Sequence, residues 1–129
     1  MSKTKKSSAS SIVWFDIPAD NIERAKGFYA KLFGWKINAF PGMEEYLHID
    51  TGGPDATPDG GLMARKDPEQ RITAYISVAS VAKAAAKIEK LGGKICMPKT
   101  PVPKMGYFAI CQDTEDNVFA IWERNDRAK

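Results

Sequence analysis

The chain has a single histidine, His48, and that scarcity excludes more than any other feature of its composition. One imidazole cannot supply a two-histidine metal centre within one chain, although an oligomer would bring two copies together. Cysteine is nearly as rare. Cys96 and Cys111 are too far apart for a C-x-x-C motif and sit in apolar, strand-like runs, so they read as buried, reduced thiols, with a disulfide or a reactive nucleophile as alternatives. No G-x-S-x-G nucleophile elbow is present. The glycine-rich "TGGPDATPDGG" lacks the Lys-Ser/Thr of a phosphate loop, and its Pro and Asp content reads as a turn-forming connector. No apolar run approaches the roughly 18 residues of a membrane span, and "MSKTKKSSASS" has no apolar signal core; a cytoplasmic protein without a membrane partner is expected.

Excess charge is also missing from the body of the chain. The net charge of +3 equals the contribution of Lys3, Lys5 and Lys6, which lie in a Ser/Lys-rich start expected to be a disordered, solubilising tail over residues 1–11. The remainder is neutral. No basic motif with interleaved aromatics is found, so a nucleic-acid partner is not expected. At 129 residues with 43% hydrophobic content the chain is long enough for one domain with one core, expected over residues 12–123 with a short tail at 124–129.

What the chain does have is an internal repeat. In "IVWFDIP" alternation puts Val13, Phe15 and Ile17 on one strand face and Trp14, Asp16 and Pro18 on the other. An amphipathic helix should follow, with Asp20 as N-cap, Glu23 closing a capping box, and Ile22, Ala25, Phe28, Tyr29 and Leu32 at helical spacing before Gly34. Three strand candidates come next: "WKINAF", "EYLHIDTG" and "GGLMAR". An offset of 59 positions, which carries Trp14 onto Thr73, then lays the first stretch on "ITAYISVASVAKAAAKIEKLGGK" without a gap, matching Ile17 to Ile76, Leu32 to Leu91 and Gly34 to Gly93. "KICMPK", "GYFAICQD" and "NVFAIWE" complete the second half. The expected class is α+β, two βαβββ modules over residues 12–66 and 71–123. Each helix covers the face bearing Val13, Phe15 and Ile17, or Ile72, Ala74 and Ile76. The opposite faces, with Trp14 and Asp16 or Thr73, Tyr75 and Ser77, are left for a pocket.

The pattern "DNIERAKGFYAKLFGW", echoed as "SVAKAAAKIEKLGG", resembles the vicinal oxygen chelate superfamily of glyoxalase I, extradiol dioxygenases, and fosfomycin and bleomycin resistance proteins. "MGYFAICQDTEDNVFAIWE" is similar to the superfamily's "G-x-x-a-x-x-x-D-P-x-G-N" ending, with Thr114 for the proline and Asp116 for the glycine. The resemblance implies paired modules whose mixed sheets curl around a cavity, a glyoxalase-like fold, and a homodimer. In metal-dependent members it implies a histidine ligand at the place of Trp14, a second at Thr73, a carboxylate at Ala120, and in glyoxalase-like members a glutamate near Leu62 or Met63. None of those places holds a histidine or carboxylate here, and the indole of Trp14 and the methyl of Ala120 offer a metal no lone pair.

No metal and no cofactor are therefore expected, and Trp14 should fill or line the vacated space. The candidate ligand-binding residues are Trp14, Asp16, Tyr46, His48, Thr73, Tyr75 and Trp122, with Asp50 on the face of Tyr46 and His48. Two indoles, phenols, hydroxyls and a carboxylate suit a small, partly aromatic molecule. Asp16 beside His48 would form an acid/base pair if the strands bring them within about 3 Å. The competing readings are a metal-dependent lyase, isomerase or dioxygenase with relocated ligands, and an interaction module with a vestigial cavity. "PKTPVPKMG", residues 98–106, is expected as a loop before the seventh strand.

Overall fold

The computed structural model describes residues 10–55 and 57–129; the lysine-bearing start of the chain lies outside the described residues. The chain forms two compact units, Val13–Ala74 and Tyr75–Lys129, the second including residues 10–12.

The first unit contains β1 (Ile12–Ala19), α1 (Ile22–Phe33), β2 (Lys36–Ala39), β3 (Tyr46–Asp50) and β4 (Asp59–Ala64). Its strands lie in the order β2-β3-β4-β1, with β1 parallel to β4 and the other pairs antiparallel. The β1–α1 stretch supplies the crossover that a parallel pair requires. Ile17, Ala19, Ile37, Ile49 and Leu62 are buried, with Phe15, Ile22, Ala25, Tyr29, Trp35 and Leu47 packed on them, so the helix covers the Phe15/Ile17 face as expected.

The helix starts one residue later than expected. Asn21 is the N-cap, its side-chain oxygen accepting from Arg24 N at 2.9 Å, which moves Glu23 off the capping-box position. Asp20 instead pairs with Arg65 Nε at 2.9 Å. Gly34 ends the helix at φ 75°, a left-handed conformation that costs glycine little. Phe28 and Leu32, counted in the apolar stripe from their spacing, are 60% and 57% exposed.

The second repeat, β5 (Thr73–Ser77, starting two residues before the second unit), α2 (Val81–Lys90), β6 (Lys94–Val102), β7 (Gly106–Gln112) and β8 (Val118–Arg124), follows this plan in the order β5-β8-β7-β6. Again the first strand is parallel to the last and the others are antiparallel. Ser80, which the offset of 59 pairs with Asn21, caps α2 by accepting from Lys83 N at 3.1 Å. Glu123 Oε1 accepts from Val81 N at 2.9 Å and satisfies another donor of the first turn.

The core is Val81, Ala109, Cys111 and Ile121, supplied mainly by β7 and β8; Ile72, expected under the helix, is 60% exposed. Cys111 is buried as expected, but Cys96 is exposed, and both thiols are free. Burial, and secondarily the neighbouring Cys96, push the Cys111 thiol up to about 11, which keeps it protonated and unreactive at neutral pH.

Most of the expected 98–106 loop is strand. β6 runs to Val102, with register shifts on either side of Met97, pairing Thr100 with Phe108 and Val102 with Gly106. Pro98 and Pro101 are tolerated because β6 is paired on one side, where their missing N–H groups break no second ladder. At the β7–β8 turn, Asp116 takes φ 67°, the conformation favoured by the glycine it replaces in the superfamily's ending. Asp113 holds that turn: its Oδ1 accepts from the Glu115 and Asn117 N–H groups at 2.8 and 2.9 Å, and these bonds draw its carboxyl below the usual range.

Candidate functional site

Four of the candidate residues meet on the face of the first unit's sheet opposite α1. Trp14 and Asp16 come from β1, Tyr46 and His48 from β3, and β4 lies between those strands. The central position is Gly61, in register with both Asp16 and His48. A Cβ there would collide with the Tyr46 ring and hydroxyl. With only hydrogen at that point, the Tyr46 side chain crosses β4 and donates its hydroxyl proton to Asp16 Oδ1.

The Trp14 Nε1–H is shared between Asp16 Oδ1 at 3.1 Å and the Tyr46 hydroxyl at 3.0 Å. Asp16 is 7% exposed, so this network holds a buried carboxylate with charge-assisted bonds. The Tyr46 phenol is pushed far above its ordinary value, first by burial and then by the adjacent negative charge of Asp16. It therefore stays protonated and donates to Asp16 at neutral pH.

The acid/base pairing differs from the one considered from sequence. Asp16 is bound by Trp14 and Tyr46, and the partner of His48 is Asp59, at 3.1 Å from Nε2 to Oδ2. The other carboxylate oxygen accepts from Thr51 N at 3.1 Å and Thr51 Oγ1 at 3.3 Å. Asp59 was hidden in a stretch that reads as a turn. The signal that locates it is register: once β3 pairs with β4 through His48 and Gly61, Asp59 becomes the diagonal neighbour of His48. The imidazole stacks on Trp14, with centroids 5.8 Å apart and planes at 6°, and Phe40 meets it edge-on at 5.8 Å. Asp50 turns away to accept from Gly52 N at 2.9 Å.

The three other candidates come from β5 and β8. Thr73 is buried and its hydroxyl donates to Arg71 O at 3.2 Å. In the second unit Tyr75 contacts Phe108 at 6.3 Å between centroids, while Trp122 lies over Gly106, where a Cβ would be 2.7 Å from the indole. A separate open groove of about 530 Å³ in the first unit is lined by Asp20, Arg65, Lys66, Asp67, Pro68 and Arg71. Its central guanidinium is committed to Asp20 and the Gln70 carbonyl, and the groove contains no aromatic side chain.

Comparison with known proteins places the chain. Residues 11–52 match the family model described as bleomycin resistance protein-like N-terminal. A glyoxylase-like domain-containing protein of Didymella fabae is 31% identical over 117 residues, covering 84% of this chain and 90% of that protein. The chain belongs to the glyoxalase/bleomycin resistance protein/dioxygenase superfamily. Solved structures agree in fold. A superfamily member from Vibrio splendidus 12B01 aligns with a TM-score of 0.64 at 11% identity, covering 91% of this chain and 100% of that one. The Mn(II)-bound glyoxalase of Novosphingobium aromaticivorans aligns at 0.62 and 18% identity, covering 93% of this chain and 41% of that one.

The residues at the superfamily's ligand positions do not fit a metal. The Trp14 nitrogen is a donor already committed to Asp16 and Tyr46, Leu62 is core, Met63 accepts a long contact from Gln70, and Ala120 is a buried methyl. Among the described residues no three His, Cys, Asp or Glu side chains gather in a group able to hold a metal ion. Among the same residues no helix is long and apolar enough to cross a membrane.

Proposed function

We propose that this superfamily member binds a small, partly aromatic molecule without metal, on the sheet face that carries Trp14, Asp16, Tyr46 and His48. The observation that carries the reading is the commitment of the Trp14 N–H to Asp16 and Tyr46. It fixes an indole at the place where the superfamily's metal-dependent members have a ligand, and it holds a flat apolar surface in one orientation for stacking. Thr73 at the start of β5, and Tyr75 and Trp122 within the second unit, are proposed as further ligand-binding residues.

The same reading takes the protein as a cytoplasmic homodimer. Phe28, Leu32 and Phe33, each more than half exposed on or at the end of α1, support self-association.

A screen of planar compounds by tryptophan fluorescence tests the binding function. The expected result is a saturable signal that is lost in Trp14→Ala or Trp122→Ala, with chelators having no effect. A screen without such a signal, or stoichiometric metal in the purified protein by mass spectrometry, overturns the reading. Light scattering in solution separately reports the dimer.

A further inference from the structure

Resting on that binding site, we propose that His48 and Asp59 form a proton-accepting pair whose ligand is a planar compound bearing a weakly acidic hydroxyl group, bound as its anion after the proton passes to His48 Nδ1. The argument begins with Asp59. An ionised carboxylate only accepts hydrogen bonds, so the 3.1 Å contact assigns an N–H to Nε2, and the proposal takes the ring in its neutral form with that tautomer. That tautomer leaves Nδ1 with a bare lone pair. Nδ1 has no hydrogen-bond partner among the described residues, and the side chain is 41% exposed.

The carboxylate is itself held in place. Thr51 N and Oγ1 both donate to Asp59 Oδ1, which leaves Oδ2 for the imidazole. A base oriented by a second group that is fixed by a third is the general arrangement of an activated proton acceptor. The ring is also locked from its faces, by Trp14 in parallel at 5.8 Å and by Phe40 at 70°.

Ligand class follows from these groups. A bare nitrogen acceptor selects a donor, and the neighbouring aromatic surfaces select a flat molecule. The carboxylates of Asp16 and Asp59 repel a lone anion, so the ligand's oxyanion is held only as the partner of a His48 that keeps the proton, and the ligand enters neutral. In that step the O–H bond breaks, its electron pair stays on oxygen, and an N–H bond forms at Nδ1. The resulting imidazolium is paired with Asp59 on one side and the new oxyanion on the other; nothing is oxidised or reduced. Asp59 and Thr51 are positioning residues here, because they act through His48.

The probes are 4-nitrophenol, whose absorption spectrum separates phenol from phenolate, and nitrobenzene, which keeps the ring without the hydroxyl. Both are offered to the full chain at a pH where free 4-nitrophenol is mostly neutral, with binding measured by equilibrium dialysis. The expected result is a phenolate band from the bound fraction and tighter binding than nitrobenzene. His48→Gln should still bind the probe but lose the band. Asp59→Asn, nearly isosteric, should weaken the band without abolishing binding, and it serves as the second variant if His48→Gln fails to fold. Binding of both probes with 4-nitrophenol remaining neutral overturns the proton-accepting pair and leaves the binding reading intact. A phenolate band that persists in both variants also overturns it. If neither probe binds, this inference falls, and the wider fluorescence screen decides the binding reading separately.

Discussion

The two halves repeat one topology, yet they place opposite kinds of side chain on equivalent strands. In the first half, β1, β3 and β4 carry an indole, a carboxylate, a phenol and an imidazole–carboxylate pair joined by hydrogen bonds. In the second, β5, β7 and β8 offer Tyr75, Phe108, Trp122 and the methyl of Ala120, and Tyr75 is in aromatic contact with Phe108. The helices differ in the complementary sense. α2 has a fully buried Val81 and two side-chain acceptors at its N-terminus, whereas α1 has no fully buried residue and one such cap. A duplicated fold can thus keep its strand order while its two copies carry different side chains, because backbone pairing sets topology and leaves the outward side-chain set of each strand unconstrained.

The sharpest way to break this asymmetry is at the glycine that permits it. Gly61→Ala places a methyl group into the Tyr46 ring, and relief requires that ring to leave Asp16. A loss of about 1–3 kcal/mol is expected, as for overpacking. Chemical denaturation reads the stability, and a change in Trp14 emission should accompany it because the indole loses one acceptor.

A smaller effect is expected at alkaline pH. The Tyr46 phenol is held above the value of about 10 that it has in the unfolded chain. Its contribution is fully present below pH 10 and is lost as pH rises from there toward the folded value, since the unfolded chain releases the proton first. The slope attributable to this group is at most about 1.4 kcal/mol per pH unit. Tyr46→Phe should flatten the stability–pH curve above pH 10, and an unchanged slope would show that burial and Asp16 together do not raise the phenol.

The second half provides the smallest and opposite change. Asp116 adopts φ 67°, so Asp116→Gly should stabilise by roughly 0.5–1 kcal/mol, provided relief of backbone strain exceeds the added flexibility of the unfolded chain. Thermal denaturation reads it, and a drop in melting temperature would show that the Asp116 side chain contributes to the turn.

Much of the architecture was legible in the chain. The two helices, their order among the strands, and the repeat offset of 59 follow from periodicity and turn residues, which are local properties. Alternation also assigned Trp14, Asp16, Tyr46 and His48 to common strand faces. Local patterning was less reliable at boundaries. The proline-rich 98–106 stretch became an edge strand because an edge accepts residues that an interior strand would reject, and Asp20 lost the cap to Asn21 while engaging Arg65.

By itself, the sequence determined an α+β repeat, the absence of metal ligands at four superfamily positions, and the inventory of polar groups available. Only the tertiary structure decided who pairs with whom. Asp16 and His48 share a sheet face yet stand across a central strand from each other, with Gly61 between them. Register therefore gives Asp16 to Trp14 and Tyr46 and gives His48 to Asp59. The reason is geometric: alternation specifies a face from two neighbouring residues, but contact between strands depends on a pairing register set by the whole sheet.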